Sequence, residues 1–234
     1  SISNAVGRGL VNDIFFLHIK LFVRTLEISL IVVVAGLILG YPVAFLLASL
    51  PVRTSNLLLI LVFLPFWTSL LVRTTAWIAM LQGQGVLNDL FVVFGIASDD
   101  DRFTLIYNKA GTLISMTHIL LPFMILPIYS VMKTIPVSYV RAARSMGATS
   151  WTAFWRVYFP QTIPGIGAGG ILVFILAISF YITPALIGGQ DGTMISNFID
   201  FHMRKSLNWS LAAAMGGVLL VIVLFLYWIY DRVV

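Results

Sequence analysis

The chain has 234 residues, 60% of them hydrophobic and only 10% charged, against roughly 25% charged in an ordinary soluble domain, and this excludes a soluble globular fold. Fourteen Lys and Arg against nine Asp and Glu give a formal charge of +5, a basic excess that fits the cytoplasmic face of a membrane rather than nucleic acid, because no basic run is interleaved with aromatics. With no cysteine, neither a disulfide framework nor a thiolate metal site is available.

The opening Ser1-Ile2-Ser3-Asn4 has no Met and no charged-then-apolar leader, so further residues are expected before Ser1. A membrane helix needs ~20 apolar residues to cross ~30 Å of hydrocarbon. Runs of that kind cover about 26–50, 57–81, 110–132, 163–183 and 209–230, which predicts five core spans in a single transmembrane domain over 1–234. None alternates with the two-residue period of a barrel strand. Helices satisfy their backbone groups within the segment, so an all-α polytopic membrane bundle is expected. Pro42, Pro65, Pro122 and Pro127 fall inside these runs and mark expected kinks. No repeat of 20 to 50 residues and no low-complexity tract is visible.

Residues 133–160 are the exception: they are amphipathic, carry Arg141, Arg144 and Arg156, and are too polar to cross. Ser138 is expected to cap a first short helix, Gly147 to supply its left-handed end, Ser150 to cap a second, and Pro160 to stop it. The first piece, about 139–146, is shorter than the ~12 residues that an isolated helix needs in water, so it requires a partner surface. Charge does not orient the chain. If 133–160 is cytoplasmic, that face holds Arg53, Lys133, Arg141, Arg144, Arg156 and Arg232, while Arg8, Lys20, Arg24, Arg102, Lys109, Arg204 and Lys205 fall opposite. Apart from Asp231 the acidic residues segregate to that opposite face, but carboxylates contribute little to topology.

Ala142-Ala143, then Gly147, then Val157-Tyr158-Phe159-Pro160 resembles the Glu-Ala-Ala, Gly, Ile-x-Leu-Pro signature of permease subunits of bacterial ABC importers. Gly40-Tyr41-Pro42-Val43-Ala44, Leu64-Pro65-Phe66-Trp67-Thr68, Val72-Arg73-Thr74-Thr75-Ala76-Trp77, Leu120-Leu121-Pro122-Phe123-Met124 and Tyr181 to Gly189 look like the spermidine/putrescine-type branch, which also contains permeases for opines and related amines. The resemblance implies a type I importer permease fold with a further amino-terminal span, in a bacterial inner membrane. It implies a non-catalytic transport subunit without a cofactor of its own. Its implied partners are a pair of ATPase subunits that bind ATP and Mg, a second permease and a periplasmic solute-binding protein. Coupling to the ATPases would fall to Arg141, Ala142, Ala143, Arg144, Met146 and Gly147. Small side chains at Ala142 and Ala143 let a helix approach a groove closely, and Gly147 permits the turn back to the membrane. Arg141 stands where the family has Glu; a carboxylate from a second, non-identical permease would take over that contact.

For the cargo path the expected residues are Trp67, Thr68, Arg73, Thr74, Trp77, Ser179 and Tyr181, with ordinary packing or interfacial anchoring as the alternative for each aromatic. Arg73 lies ~12 Å inside the second span at 1.5 Å per residue, where a lipid-facing Arg costs ~2.5 to 3.5 kcal/mol. It therefore faces protein or water, with Trp77 one turn on as a cation-π partner and Glu27 the nearest carboxylate in depth. No Asp or Glu lies in the middle of a span, so specificity belongs to an external binding protein. Gly165-Ile166-Gly167-Ala168-Gly169-Gly170 lacks the strand and the Gly-Lys of a phosphate loop and reads as helix packing. His18, His118 and His202 are scattered, so no metal or hydrolase constellation is formed; His118 reads as a helix-helix hydrogen bonder. Asp99-Asp100-Asp101 reads as a solvated loop able to guide a docking partner, and Gly188-Gly189 and Asp191-Gly192 as a span exit and a turn. The rivals are an ion-coupled secondary transporter or channel, which would show midplane carboxylates, and an intramembrane enzyme, which would show paired catalytic side chains at span depth.

Overall fold

The computed structural model describes residues 2–96, 98 and 102–233; the Asp99-Asp100-Asp101 run lies outside them. The elements in order are α1 (Ile2–Ser49), α2 (Val52–Phe63), a 3-10 turn (Leu64–Trp67), α3 (Leu70–Leu81), α4 (Val86–Val93), α5 (Lys109–Thr134), α6 (Val137–Ser145) and α7 (Ser150–Ala153). A π segment (Phe154–Tyr158), α8 (Phe159–Ile178), α9 (Ile182–Ile187), α10 (Ile195–Arg204) and α11 (Trp209–Val233) complete the chain. Among the described residues, His18–Ser49, Lys109–Thr134, Ser150–Ile178 and Trp209–Arg232 are each long and apolar enough to cross a bilayer. The broken pair Val52–Trp67 and Leu70–Val93 makes a fifth crossing if it counts as one.

Two expectations change here. The second run, 57–81, is not one helix. Pro65 has no N–H to donate, the chain tightens into the 3-10 turn, and Thr68 leaves it extended at φ −87°, ψ 149°. Both the Thr68 hydroxyl, at 2.7 Å, and its N–H, at 3.2 Å, bond the Pro65 carbonyl, which satisfies in apolar surroundings a group that the break would orphan. Nor does Pro160 end a helix. The Phe159 N–H reaches back to the Phe154 carbonyl, and this wider π turn lets α7 run on into α8 with Pro160 in its first turn, where a missing donor costs least.

The described residues divide into two compact units. The first comprises those of Ser1–Ile31, Thr74–Ser115 and Ala177–Val221. Its core includes buried Leu21, Ile195 and Met215 with Phe22, Phe198 and Leu211 packed on them. The Thr25 hydroxyl accepts the Ile195 N–H at 2.9 Å, which fixes the start of α10 on α1.

The second unit comprises those of Val32–Arg73, Met116–Leu176 and Ile222–Val234. Its core runs along α5 through Met116, Leu120, Met124, Ile128 and Met132, all buried. Small residues let neighbours close on that helix. A Cβ added at Gly169 of α8 would stand 3.0 Å from the Met124 carbonyl oxygen, and one at Gly40 of α1 would stand 3.2 Å from Met124 Cγ. The glycine run 165–170 therefore works as a helix-packing face. Residues 32–73 and 116–176 contain no Asp or Glu; the unit's one carboxylate is Asp231.

Candidate coupling site

The segment from the end of α5 to the π segment builds the site within the second unit. Lys133, in the last turn of α5, donates from Nζ to the carbonyls of Ala48 and Leu50 at 3.4 Å each, so a cation satisfies the orphan acceptors where α1 ends. Pro136, at φ −66°, is the N-cap of α6. That puts Ser138 inside the first turn rather than at the cap, because the proline presets the entry.

At the other end of α6 Gly147 is the left-handed residue expected there. It takes φ +93°, its N–H bonds the Arg144 carbonyl, and the Ala148 N–H bonds the Ala143 carbonyl, both at 3.1 Å. This pair of bonds is the Schellman closure, which needs a left-handed residue. The second helix is capped by Thr149, not Ser150: the Thr149 hydroxyl accepts the Thr152 N–H at 3.2 Å.

The two short helices turn one side inward. Ala143 and Ala153 are buried, whereas Arg141, Ala142, Arg144, Met146 and Gly147 are exposed. Met146 is 83% and Trp151 72% exposed, large apolar side chains at the tip of a loop. Behind them lies a cavity of about 440 Å³ lined by residues that include Phe45, Lys133, Val140 and Phe154. Aromatic contacts join the π segment to α1. Phe45 meets Phe154 and Tyr158 edge to face at 5.6 and 5.5 Å, and the Tyr41 hydroxyl lies 3.3 Å from that of Thr162. Edge-to-face rings and one hydroxyl contact thus join the segment behind the exposed tip to the long apolar α1. Among the described residues the site holds no group of three or more His, Asp or Glu that could bind a metal.

A model of the binding-protein-dependent transport system inner membrane component matches residues 32–234. The chain belongs to that family. This permease is 33% identical over 219 residues to the spermidine/putrescine transport system permease protein PotB of Escherichia coli (strain K12), covering 92% of this chain and 79% of that protein. It is 34% identical over 216 residues to PotB of Haemophilus influenzae, covering 92% and 75%. Its fold is similar to that of a bacterial alginate ABC transporter, solved with an alginate pentasaccharide-bound periplasmic protein, with a TM-score of 0.69 at 19% identity over 92% of this chain and 78% of that one. An amino acid ABC transporter solved with histidines gives 0.56 at 15% identity over 95% and 94%. The permease is an inner-membrane component of a transport system that depends on a binding protein, and its relatives are of the spermidine/putrescine branch.

The residues expected along a cargo path are placed less simply. Trp67 is 90% exposed, and the Thr68 hydroxyl is engaged with Pro65. Thr74 is fully buried with its hydroxyl 3.2 Å from that of Thr183. Trp77 is half-buried and Ser179 exposed. Tyr181 donates to Asp200 at 2.8 Å, and Arg204 Nε lies 2.6 Å from the same carboxylate. Sequence reasoning missed Asp200; its only signal was an acid four residues before an Arg on the amphipathic stretch 195–204.

Arg73 sits with Cζ 5.2 Å from the centroid of Phe66, not over Trp77. Side chains in a helix lean towards its N-terminus, so a residue in the first turn of α3 reaches back to the 3-10 turn. Glu27 is held by Lys109 at 2.5 Å and is not the counter-ion of Arg73. Exposed pairs contribute ~0 to 1 kcal/mol, so Glu27→Gln is expected to change uptake in right-side-out membrane vesicles by no more than about fivefold; a larger loss assigns the carboxylate a role beyond the pair.

Proposed function

We propose that this chain is the permease subunit of an ATP-driven importer for polyamines of the spermidine and putrescine class, delivered by a periplasmic solute-binding protein. ATP and Mg are bound by a pair of separate ATPase chains, and a second, non-identical permease completes the path. The observation that carries this reading is the short α6 with its Schellman turn, which presents Met146 and Trp151 outward over a closely packed Ala143. The identity to the PotB permeases supports the amine cargo.

In this mechanism the loop works by differential contact in two states rather than by chemistry. ATP-driven closure of the ATPases moves α6 and α7, and the ring contacts to Phe45 carry the motion into α1, so the path opens alternately to the two sides. Ala142 is exposed and small, which lets a docking surface come close. Ala142→Trp is expected to lower uptake of labelled spermidine and putrescine at least tenfold and to remove the ATPase from the purified complex, with the chain still in the membrane. Full ATPase retention with full uptake would refute the docking role.

A further inference from the structure

Among the described residues Arg73 is a cation without a counter-ion. Its Nε is shielded from solvent and bonded to nothing among the described residues, and its guanidinium rests on the face of Phe66. It borders a cavity of about 220 Å³ whose other walls include Val43, Leu61, Pro65, His118 and Ile125. A guanidinium with one nitrogen withdrawn from water beside an apolar wall is stabilised by an opposite charge. The unit that holds it cannot supply one: its only carboxylate, Asp231, forms no ion pair with Arg73 and lies in the last turn of α11. The carboxylates whose contacts are described elsewhere are engaged, Glu27 with Lys109, Asp89 with Arg102, Asp191 with Arg24 and Asp200 with Arg204.

The geometry points to an ion pair between Arg73 and an Asp or Glu of the second permease subunit, seated against the exposed rim of Phe66 and Trp67. This deepens the reading of the chain as an amine importer and rests on it, because a polyamine cargo is itself cationic and cannot neutralise Arg73. A second copy of this chain is the wrong occupant. A two-fold interface brings a patch to itself, and the unit that carries Arg73 could offer its copy no carboxylate but Asp231. Trp67, 90% exposed beside the site, is the kind of large aromatic that anchors an interface core. The ring below, an apolar wall and an incoming carboxylate give the guanidinium the planar, desolvated setting in which Arg pairs best.

The test converts the pair into a bond. In membranes containing the assembled transporter, Arg73→Lys places an amine at the site, and an apolar carbodiimide joins an amine to an adjacent carboxylate with loss of water. Mass spectrometry of peptides containing position 73 is expected to find an amide to an Asp or Glu of the second permease, at least tenfold above background in the unsubstituted transporter. A link to this chain's own Asp or Glu, a yield abolished by a saturating carboxylate-bearing solute, or no link at all overturns the proposal. Arg73→Met is expected to lower the second permease retained on purification at least fivefold, and unchanged retention also overturns it. Spermidine uptake and ATPase copurification in the unsubstituted transporter test the parent reading separately, since neither depends on a change at position 73.

Discussion

Replacing Gly147 by Val is expected to reduce ATP-driven uptake at least thirtyfold while leaving the chain inserted. At φ +93° an L-residue loses ~1 to 2 kcal/mol, and a β-branched one more. A Cβ there would meet nothing within 4 Å, so the whole cost is backbone. If the chain relaxes by leaving the left-handed region, the bonds from Gly147 to Arg144 and from Ala148 to Ala143 go with it, at ~0.5 to 1.5 kcal/mol each. Either cost, about 1 to 3 kcal/mol, falls on a helix of 9 residues, which has little else to hold its shape. Membrane spans do not share that loss, so thermal unfolding of the purified chain should move by only a few degrees. Gly147→Asn should be milder, because Asn tolerates this region. Wild-type uptake by Gly147→Val would show that the turn does not shape the coupling surface.

The second large effect belongs to stability. Gly169→Leu is expected to remove folded protein from the membrane, and Gly169→Ala to lower the unfolding temperature in detergent. The alanine methyl would stand 3.0 Å from the Met124 carbonyl oxygen and 3.1 Å from its sulfur, so the neighbour must shift by a few tenths of an ångström, and overpacking of this kind costs ~1 to 3 kcal/mol. Leu adds three more carbons against backbone that cannot withdraw. Gly217 on α11 is the control, since a Cβ there meets nothing within 4 Å. Gly217→Ala should be neutral or stabilise by up to ~1 kcal/mol through helix propensity. Equal effects at the two positions would show that α8 does not close on α5 through Gly169.

Much of the helical framework was legible because lipid imposes one demand, long apolar runs with internally satisfied backbones. Lys109–Thr134 and Trp209–Val233 lie where runs at 110–132 and 209–230 place them. The bent loop was legible for the converse reason: residues 133–160 are too polar for lipid, and Gly147 marks the turn. What escaped depends on backbone compensation and on distance along the chain. Hydropathy does not see that Pro65 breaks a run while Pro160 does not, since the first is followed by an extended Thr68 and the second is relieved by a π turn. Pairing by depth put Glu27 with Arg73, but depth carries no azimuth. Lys109, 82 positions from Glu27, was the neighbour. Asp200 was hidden because α10 is short and amphipathic, with no apolar run to announce it.

The π segment between α7 and α8 has a mechanical consequence. A rod that carries thrust without loss must be stiff, yet one that also changes direction needs a place to yield. Residues 154–158 place the two together, a widened turn and the rings of Phe154 and Tyr158 set edge to face on Phe45. In the proposed coupling role, torque from the membrane surface would be delivered at this one hinge and not dissipated along the whole length of the helix.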